Sequence, residues 1–156
     1  MSDIEHIKGN ILDYIGSADY IIHGCNCYHT MGSGVAKALN DFSGGRLLVA
    51  DKKTKYGDIN KLSSYSKVVG HKLTIYNLYS QHSYGRNGIY VHWKSVKRGL
   101  QNIFNELPDE STVLIPPIGC GLAGGERKDF DRALELALAH SGKYHINTFK
   151  IIVVEL

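Results

Sequence analysis

Short apolar runs alternate with amphipathic stretches along this chain, and that alternation constrains the fold more than any single motif does. Residues 4–8 ("IEHIK") and 19–25 ("DYIIHGC") read as strands, and the second is almost wholly apolar, as expected of a strand covered on both faces. Residues 33–42 place Val35, Ala36, Leu39 and Phe42 on one helical face, and a break at Gly44 and Gly45 separates them from a second short helix within 44–58. Residues 67–70 and 72–80 read as two strands joined by a turn at Gly70 and His71. Apolar residues recur at Val96, Leu100, Ile103, Phe104 and Leu107 with helical spacing until Pro108 stops the pattern. A buried strand at 112–115 ("TVLI") runs into a loop. A further amphipathic helix over 126–142 turns Phe130, Leu134, Ala137 and Leu138 inward and ends at Gly142, before a last strand at 149–156. Strands alternating with helices predict an α/β sandwich around a largely parallel sheet.

With 156 residues the chain is expected to form a single domain, 1–156, and therefore to carry one principal site. Its 17 glycines are the clear compositional excess, and they lie between apolar runs, pointing to backbone-lined loops and not to disorder. The formal charge is only +3, with cations scattered among 15 acidic residues, which argues against a nucleic-acid surface but leaves room for a small anionic ligand. No charged start precedes an apolar core and no run of about 18 apolar residues occurs, so a cytoplasmic chain with no membrane span is expected. Three cysteines, an odd number, argue for free thiols. A monomer is expected.

Ligands of parallel α/β folds collect beyond the carboxyl ends of strands. Two glycine-rich loops have that placement: "NCYHTMGSG" from Asn26, and "PPIGCGLAGGE" from Pro116. The first sits within "HGCNCYHTMGSGVAKAL", which is open to four readings. A metal site would use Cys25, Cys27, His23 or His29, but the C-x-C spacing is unusual and no second ligand pair follows. A dinucleotide-binding turn would need a third glycine where Lys37 stands. Cys27 or Cys120 as nucleophile lacks a sequence-local base, so packing is the plainer role for Cys25 and Cys120. The fourth reading, two backbone-donor loops holding a diphosphate while Asn26 meets a sugar hydroxyl, accounts for more of the residues at once. No metal and no cofactor are expected.

The motifs "IKGNIL" (7–12), "NCYHTMGSGVAKAL" (26–39) and "IPPIGCGLAGG" (115–125), in that order, resemble those of macrodomains, the ADP-ribose-binding proteins. The resemblance implies a three-layer α/β/α sandwich with a central mixed, largely parallel sheet of about six strands. It also implies a small-molecule partner, ADP-ribose or a derivative such as ADP-ribose 1''-phosphate, free or as part of an ADP-ribosylated macromolecule. Gly9, Asn10 and Ile11 would lie by the adenine, with Leu156 ending nearby. Asn26 would contact the distal ribose, and Gly32, Ser33, Gly34 and Val35 would line that ribose and a phosphate. Ile118, Gly119, Cys120, Gly121, Leu122, Ala123 and Gly124 would wrap the diphosphate, and Tyr84 would cover the ligand.

"KGNIL", "HGCNC" and the terminal Leu are most similar to the branch containing ADP-ribose 1''-phosphate phosphatases and the terminal ADP-ribose glutamate hydrolases. Where other relatives use a lysine and an acid, this chain offers Ser80, Gln81 and Ala123, which counts against their lysine-dependent mechanism. The resemblance therefore implies a metal-independent phosphatase that converts ADP-ribose 1''-phosphate to ADP-ribose and phosphate, with His23 and Asn26 as catalytic candidates. For His23 the competing reading is a buried, hydrogen-bonded ring. His29 and the carboxylates of Asp51 and Asp58 are further candidates, each as readily a solvated side chain. A non-catalytic ADP-ribose reader, and a hydrolase that removes ADP-ribose from protein or nucleic acid, are the alternatives.

Overall fold

The computed structural model describes residues 3–141 and 149–156. Six strands form one mixed sheet: β1 (Asp3–Lys8), β2 (Tyr20–Cys25), β3 (Tyr65–Val69), β4 (Thr74–Tyr79), β5 (Thr112–Ile115) and β6 (Lys150–Glu155), in the order β1-β6-β5-β2-β4-β3. All neighbours pair in parallel except β3, which runs antiparallel to β4 on the edge. The helices are α1 (Gly34–Phe42), α2 (Arg46–Lys52), α3 (Trp93–Glu106) and α4 (Arg127–His140). The predicted α/β/α sandwich with a largely parallel sheet is the fold observed.

Each face of the sheet carries its own apolar core. Alternate residues of the strands divide between them, so Ile22, Leu78 and Val153 pack under α3 and α4 with Val96, Leu100, Phe104, Phe130 and Leu134. Ile21, Ile75 and Ile152 meet Leu39 of α1 and Leu47 of α2 on the other face. Burial of a Leu, Ile or Phe side chain contributes about 1.5–3 kcal/mol, and the interior strands are apolar on both faces because both are covered.

Phe42 departs from the expected inward face of α1 and is 52% exposed. It is the last residue of that helix and borders an open hollow together with Ser43 and Gly44, while Leu39 one turn earlier stays fully buried. Two short 3-10 helices, Ile11–Ser17 and Ile59–Lys61, fall in stretches without helical periodicity. Asn10 and Asp58 start them by accepting from the backbone N–H two residues ahead, at 3.0 and 2.9 Å. The expected helix end at Gly142 lies outside the described residues; α4 closes at His140.

Candidate functional site

The parallel strands β2, β4 and β5 deliver their carboxyl ends to one edge, and there the chain leaves a cleft of about 520 Å³. A second hollow, of about 600 Å³, opens at the opposite ends of β2 and β4 beside Ile15, Phe42, Val68 and Leu73. Only the first is reached by the two glycine loops. Asn26, Gly32, Ser33, Gly34 and Val35 from the loop after β2 line it, as do Ile118, Gly119, Gly121, Leu122 and Ala123 from the loop after β5. Tyr84 closes one side. Residues far apart in sequence thus share one surface.

The loop after β2 is held by Asn26 itself. Its Oδ1 accepts from Tyr28 N at 2.8 Å and its Nδ2 donates to Thr30 Oγ1 at 2.6 Å, which folds 26–30 into a fixed turn. Contact with a sugar hydroxyl must use the second lone pair of Oδ1 or displace Thr30. The loop then enters α1 at Ser33, whose side chain makes no capping hydrogen bond, so the first N–H groups of α1 face the cleft without a side-chain partner.

The loop after β5 depends on glycine for steric reasons. Gly119 and Gly124 hold φ of +83° and +79°, and a Cβ on them would stand 2.3 Å from Val91 Cγ2 and 2.2 Å from Gly88 O. Gly125 N donates to Gly119 O at 2.8 Å, and Tyr90 N donates to Ala123 O at 2.7 Å, closing the loop against the segment before α3. Gly124 and Cys120 support this loop without lining the cleft.

His23 borders the cleft from β2, but its side chain points to the α1/α2 face and is 1% exposed. Its Nε2 lies 2.6 Å from Asn77 Oδ1 and donates to it, because Asn77 Nδ2 is committed to Leu47 O at 3.1 Å and Ser66 Oγ at 3.0 Å. Burial lowers the pKa of His23 from 6.5 to about 4, outweighing the opposite pull of the Asn77 bond. The ring is therefore neutral near pH 7 and has no imidazolium proton to give a leaving group. This is the buried, hydrogen-bonded histidine of the competing reading.

The other proton-transfer candidates also sit away from the cleft. His29 is half-buried, its Nε2 3.2 Å from Thr54 Oγ1, and belongs to the outer side of its loop. Asp51 is fully buried: Oδ1 accepts from the Tyr79 hydroxyl at 2.7 Å, and Oδ2 has no hydrogen-bond partner among the described residues. Asp58 caps its 3-10 turn. The three cysteines are free, and burial raises the thiol pKa of each, that of Cys120 to about 11. Thiols in that state are poor nucleophiles at neutral pH. Among the described residues no group of three or more His, Cys, Asp or Glu is placed to hold a metal ion, and no helix is long and apolar enough to cross a membrane.

The expected adenine end lies off the cleft proper. Gly9 N donates to Glu155 O at 2.8 Å, which sets Gly9, Asn10 and Leu156 side by side at the carboxyl end of β1 and β6. Leu156 is 95% exposed and Ile11 is buried in the core. The amide oxygen of Asn10 is engaged by Leu12 N.

Several residues that sequence reasoning passed over line the cleft: Thr30, Met31, Arg86, Pro116 and Pro117. Arg86 had a legible signal, a lone arginine in the glycine-flanked "YGRNG" two places after Tyr84. Ser80, noted in the sequence only as a replacement for lysine, lies fully buried at the cleft floor with its Oγ unpartnered among the described residues. Gly24 leaves the room for it, since a Cβ there would stand 2.5 Å from Ser80 Oγ.

Sheet order, helix placement and the two-loop cleft define a protein of the macrodomain fold. The macrodomain of Mycobacterium tuberculosis DarG superposes with a TM-score of 0.76 at 16% identity, over 100% of this chain and 99% of that one. A Trypanosoma brucei macrodomain solved in complex with ADP-ribose superposes with a TM-score of 0.66 at 15% identity, over 97% of this chain and 62% of that one. Within that fold the chain belongs to the family of the 17.5 kDa protein encoded in the tk-vs intergenic region of Enterobacteria phage T4. The two are 37% identical over 127 residues, 78% of this chain and 81% of the phage protein. No family model matches the chain.

Proposed function

We propose that the cleft binds ADP-ribose and that the protein hydrolyses ADP-ribose 1''-phosphate to ADP-ribose and phosphate. The observation that carries the binding is the convergence of two kinds of anion donor on one cleft: the uncapped start of α1 at Ser33 and Gly34, and the backbone of Gly119, Gly121, Leu122 and Ala123 in the loop after β5. Arg86 adds a guanidinium cation to the same wall. A volume of about 520 Å³ lies in the range that small ligands occupy. Further support is the Trypanosoma brucei relative in fold that was solved with ADP-ribose.

In the proposed reaction water adds to phosphorus, the phosphorus–oxygen ester bond breaks, and the proton lost by water is balanced by one gained at the leaving ribose oxygen. The start of α1 and Arg86 stabilise the phosphoryl oxygens. His23 acts by positioning, tying β2 to Asn77 of β4 just before the Asn26 turn, and the proton passes to the leaving oxygen through solvent. A second reading, a reader or hydrolase of ADP-ribosylated macromolecules, is favoured by Tyr84, 56% exposed at the rim.

Calorimetric titration with ADP-ribose, beside phosphate release from ADP-ribose 1''-phosphate, tests both parts. Arg86→Gln should weaken ADP-ribose by about 10-fold or more, the loss of one charge-assisted contact. Absence of binding removes the proposal; binding without phosphate release removes the phosphatase step and keeps the site.

A further inference from the structure

The hollow at the amino ends of β2 and β4 lies at the far end of the strands from the glycine-loop cleft, and ADP-ribose leaves it without a role. Three chain segments wall it: the end of the first 3-10 helix, the turn between α1 and α2, and the hairpin joining β3 to β4. Ala18 and Ile75 are its buried members, Ile15, Val68 and Leu73 are half-buried beside them, and Phe42 stands 52% exposed. At about 600 Å³ the hollow falls in the size range of small-ligand sites, and it is lined mainly by apolar side chains.

The charge around this hollow has one sign. Its ionisable side chains are Arg46, His71 and Lys72, all exposed, and no acid lines it. Arg46 comes from one wall and Lys72 from another, and neither is in an ion pair among the described residues. The acids next to the walls in sequence are engaged elsewhere: Asp41 pairs with Lys37 at 2.7 Å, and Asp19 Oδ2 accepts from Thr112 N at 2.9 Å. An apolar recess under two unpaired cations suits a ligand with an apolar body and one anionic head, since a guanidinium can hold a carboxylate by two hydrogen bonds.

Two other occupants match these features less well. A second copy seated hollow to hollow would set Arg46, His71 and Lys72 against themselves. A bilayer takes up a protruding apolar face, whereas the apolar residues here line a recess. We propose that the hollow is a second ligand site, for a free medium-chain carboxylate whose chain lies against Ile15, Val68 and Leu73 and whose head meets Arg46 and Lys72. The site is independent of what the cleft binds.

Calorimetric titration of the full chain with decanoate, below its micelle concentration, tests this beside octanoate and the uncharged decanol. Decanoate should bind at a single site per chain. Octanoate, shorter by two methylenes, should bind about 10-fold more weakly, and decanol, which lacks the charge, should also lose about 10-fold. Arg46→Gln with Lys72→Gln should lower the affinity for decanoate to that for decanol and leave decanol unchanged, a difference that a general loss of structure does not produce. Gly16 lines the hollow, and a Cβ there would meet no atom within 4 Å, so Gly16→Leu adds bulk to the wall without a clash. It should weaken decanoate and decanol alike by about 10-fold or more, as for two methylenes displaced, with the urea midpoint unchanged. The proposal is overturned if decanoate fails to bind at about 1 mM, the weak limit for such a site. It is overturned equally if decanol binds as tightly as decanoate, or if neither the charge variant nor Gly16→Leu changes the affinity. Sedimentation of the protein with anionic phospholipid vesicles, lost in the charge variant, would make a bilayer the occupant and also sink it.

Discussion

Replacing Gly119 by alanine tests the geometry of the loop after β5 on a quantity that can be worked out in advance. Gly119 adopts φ +83°, a region that costs an L-residue about 1–2 kcal/mol. Its added Cβ would stand 2.3 Å from Val91 Cγ2 and 3.3 Å from the Trp93 ring. Ordinary carbon contacts are about 3.5–4.0 Å, so Val91 would have to retreat by more than about 1 Å from a site where it is 9% exposed. Overpacking of that kind costs about 1–3 kcal/mol, for a total loss of roughly 2–5 kcal/mol. Gly121, two residues on, lines the cleft, and a Cβ added there would meet no atom within 4 Å. Gly121→Ala should therefore stay within about 0.5 kcal/mol of the parent in stability. Urea unfolding followed by circular dichroism measures both, with the denaturant slope unchanged if only the native state is affected. A loss below about 1 kcal/mol in Gly119→Ala, or an equal loss in Gly121→Ala, would refute the reasoning.

Stability should also respond to pH through His23. The unfolded ring titrates near 6.5 and the folded one at about 4, so between these values the unfolded chain holds the extra proton. The contribution is complete above pH 6.5, is lost as pH falls toward about 4, and amounts to roughly 3 kcal/mol. Urea midpoints at stepped pH should show a shallower acid loss in His23→Gln than in the parent, and parallel curves would contradict the assignment. Tyr79→Phe removes the hydroxyl that donates to the buried Asp51 carboxylate at 2.7 Å. A loss of about 1–3 kcal/mol is expected, and a double-mutant cycle with Asp51→Ala, which removes the acceptor, should show coupling; additive effects would mean that the bond contributes nothing.

The sheet and helices were legible because their signal is local: burial on both faces makes β2 and β5 almost wholly apolar, and one-sided burial gives α3 its repeat from Val96 to Phe104. The two glycine loops were legible for a related reason. Backbone that must adopt positive φ, or pack against Val91 and Gly88, admits little besides glycine, so the steric demand is written at the residue itself. The side chains beside those loops were less legible, since a histidine or an aspartate reads the same whether it faces the cleft or the core. Only the parity of β2, set by which helices cover which face, turned His23 toward Asn77. Likewise Tyr28, Tyr56, His82 and Tyr84 are unremarkable singly, and their common surface exists because β2 and β4 are neighbours in the sheet and the turn after α2 folds back over both. Local steric and burial patterns determined the elements and the loops from the sequence itself, whereas the packing of those elements decided which polar groups meet, because that depends on contacts between residues distant along the chain.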